Sequence, residues 1–283
     1  MVIHVVRPGD SLYRIAQLHG IPLPFLIQQN ELHEPYRLTP GQTIVVPQPE
    51  KTYIVRRGDT LGSIAAQNST TVMQLWQNNP QLGGTDRIQP GQMLVPSYGN
   101  KLGRFAVNGY AYPSINTNSL NCVLPFLTFL SPFSYKLTPT AELVSPDDSD
   151  LIFRAQRSAV MPIMVVTNIF DEGFSTEVLS VILASEELQE RLIGNILSEL
   201  TGKNYYGVNM DIEYIAPDDR ERYNAFLERL TERLHNEGFI VMSALAPKIS
   251  ADQPGVLYEA HDYAEQGRIV DYVIIMTYEW GYT

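Results

Sequence analysis

The chain contains a single cysteine, Cys122, among its 283 residues, so no disulfide bond can form within it. We therefore interpret Cys122 as a small buried apolar residue. A basic excess is lacking as well, because the net charge is −11, and the whole acidic surplus falls after residue 100. Nucleic-acid binding needs a basic surface, so we expect no nucleic-acid partner.

Long apolar runs are also absent, and no apolar segment reaches the roughly 20 residues that a membrane-spanning helix needs. The N-terminus shows no charged segment followed by an apolar one, so no secretory signal peptide is visible and no membrane partner is expected. The five histidines show no metal-ligand spacing, and no glycine-rich phosphate loop is present. The sequence therefore predicts neither a metal site nor a cofactor.

The first hundred residues contain an internal repeat. The segment His4–Ala16 matches Tyr53–Ala65 at an offset of 49 residues. Each unit continues to a Pro-Gly turn and a short apolar segment that ends in proline. The spacing of apolar residues predicts a strand, two helices and a strand in each unit. We interpret Pro47–Lys51, between the units, as a short stiff linker.

The repeated pattern resembles the LysM module, a small βααβ fold that binds glycans containing N-acetylglucosamine. The resemblance covers residues 2–47 and 52–96, which we expect to be two glycan-binding modules. It implies that the glycan groove lies between the repeated Gly-Asp-Ser/Thr-Leu loop and the loop before the Pro-Gly turn. The candidate glycan-binding residues are Gly9, Asp10, Ser11, Leu12, Gly58, Asp59, Thr60 and Leu61. The alternative is that these residues only cap the helices that follow them.

From about residue 101 short apolar strands alternate with amphipathic helical segments, which is typical of a parallel α/β fold. The predicted strands are Arg104–Tyr112, Val123–Leu130, Met161–Ile169, Tyr205–Glu213, Phe239–Ala246 and Val270–Tyr278. The predicted helices are Asp148–Arg157, Ser185–Leu200, Asp218–Asn236 and Tyr258–Gln266. Six such strands predict an α/β fold of the TIM type, a (β/α)8 barrel, over residues 101–283. Because that barrel usually takes about 250 residues, we expect one that is incomplete after strand six, or an open sheet that imitates it.

The predicted fourth strand carries polar groups on one face. Side chains in a strand alternate between faces, so Gly207, Asn209, Asp211 and Glu213 lie on the same side. An amide and two carboxylates inside an apolar strand are costly unless they are used or well paired. Catalytic residues of a barrel lie at the carboxyl ends of its strands, so we favour catalysis over a structural ion pair with a lysine or arginine.

Two carboxylates suggest glycoside hydrolysis. Asp211 and Glu213 project from one strand in one direction, so they cannot easily flank a scissile bond. The nucleophile can then come from the substrate, as the carbonyl oxygen of a 2-acetamido group. In this interpretation Asp211 orients that group, while Glu213 acts first as the acid and then as the base for water. Such chemistry restricts the substrate to N-acetylated sugars.

The strand resembles the signature of glycoside hydrolase family 18, Asp-Gly-x-Asp-x-Asp-x-Glu, with Gly207, Asp211 and Glu213 in matching positions. Tyr206 and Asn209 replace the first and second aspartates of that signature. Family membership implies substrate-assisted, retaining catalysis. With asparagine at position 209, one of two adjacent carboxylates is replaced by an amide donor.

The sixth predicted strand resembles the family's Met-x-Tyr-Asp motif through Met276 and Tyr278, with Glu279 in place of the aspartate. The resemblance implies that Tyr278 hydrogen-bonds the acetamido oxygen and that Met276 helps to bind substrate. Tyr110 and Trp280 lie at predicted strand ends and are candidates for stacking on sugar faces, with core packing as the alternative. The family's Ser-Gly-Gly motif has no counterpart in residues 165–169.

The two modules and the signature together resemble the spore cortex-lytic N-acetylglucosaminidases of the SleL/YaaH type. The resemblance implies a peptidoglycan hydrolase that cleaves β-1,4 bonds after N-acetylglucosamine. It also implies peptidoglycan or another N-acetylglucosamine-containing glycan as partner, and the spore cortex, coat or cell wall as the location. Two alternatives stay open, which are a chitinase and a non-catalytic peptidoglycan- or chitin-binding protein built on a defunct barrel.

Overall fold

The computed structural model describes residues 2–33, 36–99, 103, 105–171 and 173–279. The chain folds as two compact units. The first comprises Met1–Phe105 with Asn116–Phe126, and the second comprises Ala106–Ile115 with Leu127–Thr283. Within the described ranges, no helix combines the length and the apolar character that crossing a membrane requires.

In the first unit the repeat forms two copies of a βααβ module. The elements of the first copy are β1 (Val2–Val5), α1 (Leu12–His19), α2 (Leu23–Gln29) and β2 (Thr43–Val46). Those of the second copy are β3 (Pro49–Ile54), α3 (Leu61–Gln67), α4 (Val72–Asn78) and β4 (Met93–Tyr98). The two strands of each module pair antiparallel, and the predicted order of elements is confirmed. The linker interpretation is wrong for residues 49–51, because they belong to β3 and pair with β4.

A repeated asparagine fastens the second helix of each module to its last strand. The side chain of Asn79 is fully buried. Its Nδ2 donates to the carbonyl oxygens of Leu75 (2.8 Å) and Val95 (3.0 Å), and its Oδ1 accepts from the Val95 N–H (2.8 Å). Asn30 makes the equivalent three hydrogen bonds in the first module. The sequence repeat therefore preserves a structural contact between helix and strand.

The predicted strand over residues 123–130 is wrong at its start, because the chain forms helix α5 (Thr117–Val123) there. The side chain of Asn116 accepts hydrogen bonds from two backbone N–H groups of the first turn, which begins the helix. A 3-10 turn, Leu124–Phe126, follows. Cys122 is exposed on this helix, so its interpretation as a buried residue is also wrong.

The second unit is built on a parallel sheet whose spatial order follows the chain. Among the described residues, its six parallel strands are β5 (Asn108–Ala111), β6 (Phe129–Pro132), β9 (Met161–Thr167), β12 (Gly207–Asp211), β13 (Ile240–Leu245) and β14 (Tyr272–Ile275). They neighbour one another in that order. Two short pieces, β7 (Tyr135–Leu137) and β8 (Leu143–Val144), form a hairpin, and β7 also pairs with β9. The hairpin of β10 (Ile169–Phe170) and β11 (Gly173–Phe174) follows β9. The predicted parallel α/β arrangement is confirmed.

In the described part of this unit five helices accompany the sheet, namely α6 (Ser149–Arg157), α7 (Thr176–Leu183), α8 (Glu186–Lys203), α9 (Arg220–Asn236) and α10 (Tyr263–Ile269). The predictions missed α7 and placed α10 several residues early. Helix α10 begins after Asp262, whose side chain accepts the Glu265 N–H at 3.1 Å. The predicted strand over residues 270–278 is too long, because a 3-10 turn, Thr277–Glu279, replaces its end.

Strand β12 has the two faces that the alternation predicts. Val208 and Met210 are buried in the large apolar cluster that the sheet forms with its helices. Gly207, Asn209 and Asp211 occupy the other face. At Gly207 a Cβ would lie 2.2 Å from the carbonyl oxygen of Ile240 in β13, so only glycine fits at this position.

Candidate active site

A cavity of about 460 Å³ opens at the carboxyl ends of the parallel strands. Its lining residues are Tyr110, Ala111, Tyr112, Phe133, Ile169, Phe174, Asp211, Glu213 and Tyr278. Four residues that the sequence singles out, on or shortly after the first, fourth and sixth parallel strands, thus share one cavity: Tyr110, Asp211, Glu213 and Tyr278. Asp211 and Glu213 are both largely buried. Tyr278 is mostly exposed at the rim.

Asn209 lies on the same face of β12 as Asp211 and is completely buried. Its Nδ2 donates a hydrogen bond to the hydroxyl oxygen of Tyr110 at 2.6 Å. Burial, together with the Asp211 carboxylate, raises the pKa of the Tyr110 hydroxyl above its usual range, so this group stays protonated. Asn209 therefore fixes the tyrosine that forms one wall of the cavity.

Glu213 lies two residues beyond the end of β12, so the predicted strand end at Glu213 is too late. Its backbone is held by Asn168, a fully buried residue that directly follows β9. Asn168 Oδ1 accepts from the Glu213 N–H (3.0 Å), and Asn168 Nδ2 donates to the Glu213 carbonyl oxygen (2.7 Å). Pairing of β9 with β12 ends at Thr167 and Asp211, so this side chain takes over where the backbone ladder stops.

The peptide group before Glu213 is held from the opposite side by His261. His261 Nδ1 accepts from the Ala246 N–H (2.8 Å), so Nε2 carries the proton and donates to the carbonyl oxygen of Ile212 (3.0 Å). Burial lowers the pKa of His261 to about 4, which keeps the ring neutral near pH 7. The chain leaves the site through Tyr214, whose φ of +53° is left-handed and whose carbonyl accepts from Thr176.

A further predicted residue, Met276, does not line the cavity. Met276 is buried and packs with Ala244 and Ala246 in a small apolar cluster. Trp280 lies outside the described residues. Tyr112, in contrast, is exposed at the cavity wall, edge-on to Phe133 at 5.4 Å between ring centroids.

Sequence reasoning missed Asn168, His261 and Phe133. Asn168 ends a strand of apolar residues, and this is the same signal that singles out the polar face of β12. Residues 165–169 lack the family's Ser-Gly-Gly motif, so no motif marks Asn168. His261 stands alone in the sequence, without metal-ligand spacing or any other pattern. Phe133 lies in a loop, where no periodicity marks an inward-facing side chain.

In the repeated modules, the Gly-Asp segments form matching turns. Gly9 and Gly58 have φ values of +89° and +90°, a conformation that favours glycine. Asp10 Oδ2 accepts a backbone N–H at 2.8 Å and lies 3.0 Å from His4 Nε2. Asp59 Oδ2 accepts the equivalent backbone N–H at 2.7 Å. Both carboxylates therefore close their own turns.

The residues after these aspartates begin helices α1 and α3. Ser11 Oγ and Thr60 Oγ1 each accept a backbone N–H three residues later, at 3.3 and 3.0 Å. Leu12 and Leu61 are buried in the module cores. The capping interpretation is thus confirmed for Ser11 and Thr60, while glycan binding at the eight candidates stays a prediction.

Among the described residues, no group of three or more histidine, cysteine, aspartate or glutamate side chains could hold a metal ion. The cavity brings together two carboxylates, tyrosine hydroxyls and aromatic walls.

Comparison with known families gives two matches. The LysM domain model matches residues 4–47 and 53–95. The model for glycosyl hydrolases family 18 matches residues 163–282, a range that contains Asn168, Asp211 and Glu213.

Relatives match over the whole chain. The cortical fragment-lytic enzyme of Bacillus subtilis (strain 168) is 37% identical over 291 residues, which cover 100% of this chain and 67% of that protein. The crystal structure of the Bacillus cereus spore cortex-lytic enzyme SleL superposes with a TM-score of 0.76 at 34% identity, covering 99% of this chain and 66% of that one. The chain thus spans about two thirds of the length of these relatives.

Proposed function

Because the chain belongs to glycosyl hydrolases family 18 and carries two LysM domains, we propose that it is a peptidoglycan hydrolase of the spore cortex. The observation that carries the proposal is the placement of Asp211 and Glu213, which enter one cavity from a single strand end. The relatives named for cortex fragments support peptidoglycan as the substrate class.

The proposed reaction is retaining cleavage of the β-1,4 bond that follows N-acetylglucosamine. The Glu213 carboxyl group gives its proton to the glycosidic oxygen as that bond breaks. The acetamido carbonyl oxygen of the same sugar forms the new bond to the anomeric carbon, while Asp211 holds the acetamido N–H. Glu213 then takes a proton from water, which opens the cyclic intermediate. Two carboxylates on one side of the cavity suit this route, because neither can reach the opposite face of the sugar.

Tyr278 contributes a hydroxyl at the rim of the same cavity. In the proposal it donates to the acetamido oxygen as that oxygen attacks. Asn209 acts indirectly, since its hydrogen bond positions Tyr110, whose ring forms a wall beside Asp211. Met276 packs in the core against Ala244 and Ala246 and has no direct role in this proposal.

We also propose that the six parallel strands form part of a (β/α)8 barrel, with the site at the carboxyl ends of its strands as in other barrels. The modules at residues 2–47 and 52–96 would bind N-acetylglucosamine units of the wall. Two linked binding modules raise the local concentration of substrate by avidity. The place of action that follows is the spore cortex, the coat or the cell wall.

Digestion of purified cortex peptidoglycan with reducing-end analysis tests the reaction. N-acetylglucosamine at the new reducing ends is the expected product, and muramic acid there would contradict the bond assignment. Glu213→Gln should abolish cleavage but leave binding to the sacculus intact, whereas the exposed Glu237→Gln should retain both. Faster cleavage of chitin than of peptidoglycan would identify a chitinase. Binding without cleavage of either would identify a non-catalytic protein.

A further inference from the structure

A second cavity, of about 480 Å³, adjoins the active-site cavity. Its lining residues are Tyr112, Phe133, Ser134, Lys136, Val144, Ser145, Pro146 and Ile169. Three of them, Tyr112, Phe133 and Ile169, also line the first cavity, so the two share a wall. Each volume lies in the range of small-molecule sites, roughly 300–1,000 Å³. Two consecutive sugars of one glycan strand could therefore occupy the two cavities.

Lys136 gives the second cavity its charge. It lies on β7 between Tyr135 and Leu137, which are both buried, so Lys136 faces the opposite, solvent side. Its side chain makes no hydrogen bond or ion pair with any residue in the described ranges. An unpaired cation in an aromatic-walled cavity is notable in a chain of net charge −11. Such a group favours an anionic ligand.

We propose that the second cavity binds the sugar next to the one being cleaved, and that Lys136 selects a sugar bearing a carboxylate. This inference rests on the proposed function. Peptidoglycan alternates N-acetylglucosamine with N-acetylmuramic acid. When N-acetylglucosamine occupies the cleavage position, its neighbour on either side is therefore muramic acid. Either direction of the glycan strand therefore places muramic acid in the second cavity.

The carboxylate comes from the lactyl ether of muramic acid, either free or continued as a peptide with its own carboxylates. Chitin offers only neutral N-acetylglucosamine at the same position. The rings of Tyr112 and Phe133 can contact either sugar, since both polymers present the same apolar ring faces. Lys136 is thus the residue in this cavity that distinguishes peptidoglycan from chitin.

The test measures hydrolysis by the full chain of three soluble glycans of equal length: peptidoglycan strands with peptides, strands stripped to free lactyl carboxylates by an amidase, and chitin oligosaccharides. Lys136→Gln should lower kcat/KM on the stripped strands about two- to fivefold, mainly through KM, as for an exposed ion pair. It should leave the chitin rate unchanged. Lys136→Arg should retain the wild-type kcat/KM. Arg157→Gln, which removes an exposed cation on α6, should have no effect on it.

Added salt should lower the wild-type ratio of kcat/KM on stripped strands to kcat/KM on chitin oligosaccharides. The ratio should approach that of Lys136→Gln, because screening weakens exposed ion pairs. A loss confined to peptide-bearing strands would assign the contact to a peptide carboxylate and would also support the proposal. An equal loss on chitin, or no loss on either peptidoglycan substrate, would overturn it.

The proposed function can fail separately, if the wild-type chain hydrolyses none of the three glycans. Residue-resolved NMR titration then decides the role of Lys136. Shifts of Lys136 and Phe133 with stripped strands, but not with chitin oligosaccharides, would still support a carboxylate-selective cavity. Equal shifts with both ligands, or none, would overturn it.

Discussion

The side-chain amide of Asn168 holds the backbone of Glu213 at both of its polar groups, accepting the N–H at 3.0 Å and donating to the carbonyl at 2.7 Å. The contact reproduces what a neighbouring strand would supply, at the point where pairing of β9 with β12 has ended. With His261 bound to the preceding carbonyl, the carboxylate of Glu213 projects from a peptide segment fastened on both sides.

Asn168→Ala should therefore lower kcat more than it weakens substrate binding. A displacement of a catalytic group by about 1 Å can cost up to about 100-fold in rate, so we expect kcat to fall about 10- to 100-fold with KM little changed. The control is Asn195→Ala. This residue lies on α8, outside the cavity lining, and its side chain donates a hydrogen bond to the Ala141 carbonyl oxygen. Steady-state kinetics and melting temperatures of both variants separate positioning from stability. A kcat that stays at the wild-type value would rule out the positioning role.

His261 predicts a loss of stability in acid. Its pKa is about 4 in the folded chain, against 6.5 as its ordinary value, because burial disfavours the charged ring. Between these values the unfolded chain binds more protons, so the free energy of unfolding falls as the pH is lowered. The contribution of His261 to the free energy of unfolding is at its full value above pH 6.5. It falls by about 3 kcal/mol as the pH approaches 4.

Calorimetric melting at pH 7 and pH 4.5 measures this effect. In His261→Gln the melting temperature of the second unit should depend less on pH than in the wild type, because no group with a depressed pKa remains at that position. His33→Gln, a change at an exposed histidine of the first unit, should keep the wild-type dependence. Identical slopes for His261→Gln and wild type would contradict the assignment.

The sequence predicted those parts of the molecule in which the alternation of side chains and the position of a residue in its element both indicate the same face. The polar face of β12 and the cavity shared by Asp211, Glu213 and Tyr278 follow from strand alternation and from the rule that sites lie at strand ends. The two βααβ modules follow from an internal repeat, because the same turn residues recur at the same positions in both copies. In both cases a local pattern determines which side of an element a residue occupies.

The remaining features depend on contacts between distant segments. Val123 belongs to helix α5 although its neighbours in the sequence are apolar, because Asn116 caps the first turn of that helix. His261 is 49 residues from Ile212, and only the adjacency of β12 and β13 brings them together. Three asparagine side chains that hydrogen-bond the backbone of another segment illustrate the difference. Asn30 and Asn79 occupy equivalent positions of the two modules, 49 residues apart, whereas Asn168 lies outside the repeat.

Tyr278→Phe tests the proposed donor to the acetamido oxygen. Removing one hydrogen-bond donor to developing charge typically costs about 100- to 1,000-fold in kcat, and we expect a loss near the lower end because Tyr278 is largely exposed. The same exposure predicts an unchanged melting temperature. Tyr272→Phe, on β14 and outside the cavity lining, is the matched control and should retain full activity. Equal rates for the two variants would remove Tyr278 from the mechanism.

Asn209→Asp tests why an amide stands beside Asp211. The variant places a second carboxylate on the same buried face and removes the N–H that now binds the Tyr110 hydroxyl. Like charges disfavour joint ionisation, so the two carboxyl groups should titrate as a coupled pair, with the first proton retained to higher pH. We therefore expect the acid limb of the kcat/KM profile to move to higher pH, while the alkaline limb stays in place. The exposed Asn236→Asp supplies the same change of charge away from the cavity and should leave both limbs unaltered. An acid limb in Asn209→Asp that coincides with that of the wild type would show that the amide does not serve to keep Asp211 charged.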